Sequence, residues 1–199
     1  MSSNVRDSAR SGRMDAARAR YCVRRTRFGP VAVLWSAQEG RPRIGRILLP
    51  TPESSAERAA GMCISDARRS SCAEVDLLAG RIAAFLAGED VRFSPDDVLF
   101  DACSPFQQEV LRACHRIPRG RVSTYGRIAE QCGHRDAARA AGTALAANPF
   151  PIVIPCHRVI RSDGSLGGFG GGLRMKRALL AMEGVAFDAS DRVRIAELF

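Results

Sequence analysis

Residues 104–148 read SPFQQEVLRACHRIPRGRVSTYGRIAEQCGHRDAARAAGTALAAN, and this stretch decides the fold. Ser104 is placed as an N-cap, with Pro105 at N1 and Gln107 at N3 completing a capping box ahead of apolar Phe106, Val110, Cys114 and Ile117. Pro118 and Gly120 end that helix. Ser123 or Thr124 can cap a second, short helix through Tyr125, Ile128 and Ala129, with Gly133 as its C′ residue. Asp136 is the predicted cap of a third, Ala137 to Ala147, which Pro149 bars from continuing past Asn148. Two short helices joined across Gly133 to Asp136 have the form of a helix-turn-helix. The third helix has almost no side-chain bulk beyond Arg139, Thr143 and Leu145, so it can approach another body closely. Tight packing on a neighbouring helix would use the same surface. Seven arginines from Arg112 to Arg139, against Glu130 and Asp136, tilt the reading toward a nucleic-acid backbone.

Upstream, VAVLW at Val31 to Trp35, a turn through Gln38, Glu39 and Gly40, and IGRILL at Ile44 to Leu49 predict a hairpin with an apolar face. Ala73 to Ala87 places Val75, Leu78, Ile82, Phe85 and Leu86 at helical spacing before Gly88 stops it. The expected class is therefore α+β: a small antiparallel sheet with one packed helix, then a helical unit. Pro95, Asp96 and Asp97 mark the boundary, which divides the chain into a basic disordered arm (1–20), an N-terminal α/β domain (21–98) and a C-terminal domain (99–199).

Downstream comes PIVIPCHRVI, where Ile152 to Ile154 predict a short buried strand and Pro155 a bend before the adjacent pair Cys156 and His157. Neighbours on an extended chain face opposite ways, so a bridging water is a better link between thiol and imidazole than direct contact. A free thiol titrates near ~8.5 and reacts as the thiolate, so the pair needs a base and nearby positive charge. The segment Ser162 to Leu173 holds six glycines but neither a phosphate-loop nor a dinucleotide fingerprint; it suggests backbone lying close to a ligand. Leu173 to Glu183 predicts an amphipathic helix ended by Gly184. A carboxylate in its last turn opposes the helix dipole and invites a partner such as His157.

The 199 residues are 46% hydrophobic and 26% charged, the balance of a folding globular chain. Net charge is +9, and residues 1–27 hold +6 of it through eight arginines. Lys176 is the sole lysine, an arginine bias that coding composition alone could produce. No apolar run fits a secretory leader or a membrane span. Seven cysteines with no C-x-x-C point to a reduced, cytoplasmic setting and to no metal; Cys22, Cys63 and Cys72 do not assemble a zinc site. Cys114, beside His115, falls on an apolar helix face as an inert core thiol.

Three ordered blocks, FQQEVLRACHRIPRGRVSTYGRIA, ARAAGTALAANPFPIVIPCHRVI and GSLGGFGGGLRMKRALLAMEG, resemble the DNA-binding and active-site domain of O6-alkylguanine-DNA alkyltransferases, also called methylated-DNA-protein-cysteine methyltransferases. PCHR by itself is short enough to arise by chance; the three blocks together are not. TRFGPVAVL and IAAFLAGEDVRF match the family's N-terminal domain more loosely, so the resemblance runs from about Arg24 to Phe187 and omits the arm. It implies a ribonuclease H-like first domain and a winged-helix-like second one. It also implies direct-reversal repair of double-stranded DNA bearing O6-alkylguanine, with O4-alkylthymine as a further lesion, by a monomer needing no cofactor.

By position, the resemblance gives Cys156 as the alkyl acceptor, His157 as its water-mediated base and Glu183 as the carboxylate that orients and charges His157. Asn148 braces the loop before the nucleophile, and Tyr125 donates to the departing purine. Arg139 is the finger that fills the space of the extruded nucleotide, and Ala138, Gly142, Thr143, Ser123, Thr124 and Arg127 are the remaining DNA contacts. Backbone at Cys156 and Val159, and the loop at Phe169 and Gly170, line the base pocket with Tyr125. A thioether is a poor leaving group, so each molecule would react once.

The chain departs from the family pattern at Phe169 and Gly170, where tyrosine and a small polar residue are usual, and at Leu111, often tryptophan. Two other readings stay open: a lesion-binding relative without activity, and a cysteine hydrolase of unrelated fold.

Overall fold

The computed structural model describes residues 19–38, 40–51, 58, 60, 67–194 and 198–199. Nearly all of the predicted arm, Glu39 of the predicted turn and Cys63 lie outside them. Strands β1 (Arg20–Thr26), β2 (Gly29–Gln38) and β3 (Arg41–Leu48) form an antiparallel meander. A two-residue strand β4 (Arg68–Arg69) adds parallel to β1, in sheet order β3-β2-β1-β4. The predicted all-antiparallel sheet is therefore mixed at one edge, because β4 is reached through a long connection rather than a hairpin.

Central β2 is buried from Val31 to Ser36. Val31, Val33 and Trp35 enter the main core, while Ala32 and Leu34 join Ala60 in a second cluster on the other face. Burial on both faces explains the unbroken apolar text of this strand. Helix α1 (Ala73–Ala87) packs its Val75, Leu78, Ile82 and Phe85 into the main core, and Gly88, at φ 111°, closes it with a left-handed C-cap.

The second half contains α2 (Pro105–His115), β5 (Ser123–Thr124), α3 (Tyr125–Gln131), α4 (Ala138–Ala146), β6 (Val159–Ile160) and α5 (Gly172–Met182). Helices α3 and α4 are the helix-turn-helix pair, with Gly133 at φ 81° in the turn. Strands β5 and β6 pair in parallel. One apolar core continues from the sheet and α1 into α2, α3 and α4. The free edge of β3 is tied to this half: Leu99 N–H donates to Ile44 C=O at 2.9 Å and Ile47 N–H to Pro149 C=O at 2.8 Å. These bonds satisfy an edge that would otherwise expose its backbone.

Three local expectations are corrected. Ser104 caps α2 by accepting from Gln107 N–H at 3.3 Å, but Gln107 does not complete a capping box. Its Nε2 instead donates to the carbonyls of Ala144 and Ala147, 3.1 Å each, because the last turn of α4 leaves those acceptors without helical partners. Asp136 does not cap α4; the turn runs on through Ala137 N–H to His134 C=O, and Ala137 is the N-cap with no side-chain bond. Ile152 to Ile154 form no strand. Asn148 Oδ1 accepts from Phe150 N–H and its Nδ2 donates to Ile154 C=O, folding the segment into a buried turn with Ile152 at φ 78°. A β-branched residue in that region costs on the order of 1–3 kcal/mol and persists only where its surroundings over-determine it.

Gln107→Ala should leave two α4 carbonyls without a donor and lower stability by about 1–2 kcal/mol. Urea unfolding compared with a Gln108→Ala control reads the difference; equal losses would show that the cross-helix bonds contribute nothing special.

Candidate active site

The nucleophile's setting is built by a tight chain reversal. Pro155, at φ −79° and ψ 59°, sits in an inverse γ-turn closed by Cys156 N–H to Ile154 C=O at 2.8 Å. Cys156, His157 and Arg158 then form one 3-10 turn leading into β6. This turn replaces the extended geometry expected of the Cys-His pair. It leaves Cys156 half-buried and buries His157 and Arg158.

His157 Nε2 lies 2.9 Å from Glu183 Oε1. Glu183 follows α5 as its C-cap residue, buried, and it is also gripped by Arg158 through Nε to Oε2 and Nη2 to Oε1, 2.8 Å each. The remaining Arg158 Nη1 donates to Ile117 C=O at 2.7 Å. Burial by itself would raise the Glu183 carboxyl, but the hydrogen bonds of His157 and Arg158 and the positive charge both carry in acid outweigh it and hold the group at about 2. An ionised carboxylate only accepts, so Nε2 carries the ring proton and Nδ1 is left as the basic lone pair. Nδ1 is buried with no hydrogen-bond partner.

Glu183 fixes the orientation of the His157 ring through the bond to Nε2 and pulls the imidazole pKa upward. Burial pushes the imidazole below its ordinary value, against the pull of Glu183 and with the help of Arg158, so the ring stays a neutral base. Its plane is fixed by two edge-on rings, Phe85 from α1 at 5.9 Å and Phe169 at 6.2 Å between centroids.

Cys156 shares a cavity of about 440 Å³ with Tyr125, Gly142, Leu145, Arg161 and the loop residues Gly167 to Gly170. A Cβ on Gly167, which has φ 66°, would stand 2.8 Å from the Tyr125 hydroxyl, so only glycine lets the loop lie against that phenol. Burial raises the Cys156 thiol, while the Asn148 hydrogen bond and the Lys176 charge act to lower it. Burial likewise raises the Tyr125 phenol, which keeps it a proton donor. Cys114 is wholly buried and pushed well up, as expected of a core thiol. A larger cavity of about 660 Å³ reaches Arg158 and Glu183 from behind, between α1 and the end of α2, but includes neither Cys156 nor Tyr125.

In the sequence Lys176 is only one position of an amphipathic helix. Its buried Nζ donates to Val159 C=O at 2.7 Å, to Leu166 C=O and to Gly168 C=O at 3.3 Å, tying α5, β6 and the glycine loop together beside Cys156. Burial lowers its pKa to about 8, with the nearby Cys156 pulling the other way. Arg158 was also missed. The signal for it was its place directly after His157; for Lys176 it was a lone lysine on a helix face otherwise occupied by Met175 and Leu179.

The other predicted residues divide. Arg139, Ala140, Thr143, Ala146 and Ala147 share the exposed face of α4, and the Arg139 guanidinium has no partner among the described residues. Ala138 and Gly142 are partly covered, Gly142 lying over Tyr125. Thr124 caps α3 by accepting from Arg127 N–H, and exposed Arg127 reaches Phe199 C=O. Ser123 is buried with its hydroxyl on Phe199 C=O, so it offers no DNA contact: pairing of β5 with β6 turns it inward. Val159 is also removed from the pocket lining. It is fully buried in β6, and its carbonyl is taken by Lys176. No His, Cys, Asp and Glu group suited to a metal occurs among the described residues. No helix there is long and apolar enough to cross a membrane.

Residues 105–185 match the family described as "6-O-methylguanine DNA methyltransferase, DNA binding domain". A methylated-DNA-protein-cysteine methyltransferase of Methanothermobacter thermautotrophicus is 47% identical over 107 residues, covering 54% of this chain and 60% of that protein. The crystal structure of Mycobacterium tuberculosis O6-methylguanine methyltransferase superposes with a TM-score of 0.66 at 32% identity, covering 83% of this chain and 92% of the other. The Mycobacterium tuberculosis structure in complex with DNA gives 0.66 at 33% identity, covering 82% and 92%. This chain is thus similar to these proteins through its α+β fold and, in the second half, through sequence.

The Glu183 carboxyl stands at about 2 in the fold against 4.5 ordinarily. A depressed carboxyl stabilises the fold above its unfolded pKa and loses that contribution as pH falls through the folded one. Unfolding free energy should therefore drop between pH 4.5 and 2, and Glu183→Gln should show a shallower drop in that window. At pH 7 the same substitution strands the Arg158 charge and costs about 3 kcal/mol. Parallel wild-type and variant profiles would refute the assignment.

Proposed function

The chain belongs to the methylated-DNA-protein-cysteine methyltransferase family, and we propose that it repairs duplex DNA by taking the alkyl group of O6-alkylguanine onto Cys156. The observation that carries this is the shared cavity: a thiol backed by a neutral, carboxylate-held imidazole opens onto the same space as a phenol that can donate. The finer picture goes with it. A ribonuclease H-like sheet unit precedes a winged-helix-like unit, the divide falling near Pro95 to Asp97, and the protein acts as a cytoplasmic monomer that needs no cofactor.

The alkylated O6 lies inside the base stack, so the nucleotide must be extruded at a cost of a few kcal/mol. Helix α4 presents a face of alanines to the minor groove, and Arg139 fills the space the base leaves. Inside the cavity, Cys156 passes its proton to His157 Nδ1 through a bridging water. Lys176 and the Asn148 amide favour the thiolate that results. Sulfur attacks the alkyl carbon in line, the S–C bond forms as the C–O6 bond breaks, and the electron pair goes to guanine. Tyr125 donates to the purine as that charge develops, and the imidazolium is steadied by Glu183. Asn148 holds the loop before the nucleophile through its two backbone bonds, so Sγ does not retreat. The departure at Gly170 removes a side-chain hydroxyl at that position and leaves its backbone N–H as the donor the residue can offer.

Incubation with duplex containing O6-methylguanine should add one methyl group per molecule, on the Cys156 peptide, as read by mass spectrometry. Unmodified protein that still binds the lesion would establish the lesion-binding relative instead.

Arg139→Ala should lower the rate on duplex at least tenfold more than the rate on free O6-benzylguanine, since only duplex demands extrusion. Equal losses on both substrates would remove the finger role.

A further inference from the structure

The exposed rim of the Cys156 cavity is formed by Ala146, Arg161, Gly168 and Gly170, and Arg161 is its one charged member. Its backbone is pinned: N–H donates to Ser165 C=O at 2.9 Å, and C=O accepts from Gly164 N–H at 3.1 Å. The guanidinium, in contrast, makes no hydrogen bond or ion pair with any described residue. The nearest acid in sequence, Asp163, is committed to Ser165 and Arg192. No carboxylate lines the cavity, and the other cation beside it, Lys176, is spent on three carbonyls. Arg161 lines the cavity, and its charge is felt by both Tyr125 and Lys176 beside it.

An unpaired guanidinium at the rim, above an apolar and glycine-lined interior, fits a ligand whose base goes in and whose anionic group stays outside. We propose that Arg161 is a phosphate clamp for the extruded nucleotide, holding the phosphate of the flipped residue itself while its base occupies the cavity. This rests on the repair reading and adds to it a division of labour. Arg139 acts on the duplex left behind, and Arg161 on the nucleotide taken out. Arginine suits the task because its planar fork binds phosphate oxygens in pairs.

The test compares alkylation of Cys156 by O6-benzyl-2′-deoxyguanosine and by its 3′,5′-bisphosphate, in wild type, Arg161→Ala and Arg20→Ala. Arg20 lies on β1 of the first-half sheet and carries the same change in net charge. Wild type should react faster with the bisphosphate, and Arg161→Ala should reduce that preference about fivefold while Arg20→Ala retains it. A preference unchanged in Arg161→Ala, or reduced equally by Arg20→Ala, overturns the clamp. Absence of any benzyl group on wild-type Cys156 from either compound would instead count against the repair reading. As a second measurement, an O6-methylguanine oligonucleotide whose flanking linkages are neutral methylphosphonates should react with wild type and Arg161→Ala at the same rate; a persisting difference also overturns the clamp.

Discussion

A buried carboxylate is the constraint on which the site depends. Glu183 sits at the C-terminal end of α5, where the helix dipole opposes its charge, and it is almost wholly removed from water. Such a charge survives only with close partners, and it has three bonds from two residues: one from His157 and two from Arg158. Because those partners are consecutive and directly follow Cys156, satisfying Glu183 dictates the turn that presents the thiol. The same requirement sets the proton on Nε2 and frees Nδ1 to act as base. Arg158 extends the restraint to the end of α2 through Ile117.

Around this cluster the two halves of the chain act as one support. Phe85 of α1 and Phe169 of the glycine loop both pack edge-on against His157, so a residue of the first half helps hold the imidazole plane. The loop would have little to anchor it through its own glycines. Lys176 supplies the anchor by donating to carbonyls on β6 and on the loop, at the electrostatic cost of burying an ammonium. That cost is partly offset by the thiol it faces, since a cation beside Cys156 favours the thiolate.

Much of the frame was legible because local signals agreed with global ones. Gly88, Gly133 and Gly184 ended helices where the text placed them, and the apolar run of β2 read correctly as a hairpin strand, although its burial on both faces was not legible. Errors gathered where side chains bond across the fold. Gln107 looked like one half of a capping box and instead serves α4, more than thirty residues away. Ile152 to Ile154 carried strand residues, yet Asn148 folds them into a turn that no propensity scale anticipates. Ser123 and Val159 were placed at the DNA and the base, and pairing of β5 with β6 takes both into the interior.

The order of residues alone determined which chemistry is available: a cysteine beside a histidine, an acid at a helix end, a glycine-rich loop, and an arginine on a helix of small side chains. These are properties of residue type and short spacing, which periodicity and turn chemistry report. Which groups meet was decided by the tertiary structure. Arg158 as a second partner of Glu183, Lys176 as the loop's anchor and Arg161 at the cavity rim follow from contacts among residues well separated in the chain, and from burial that selects protonation states. Burial and long-range hydrogen bonding depend on distance in space, and linear order does not encode that distance until the chain has folded.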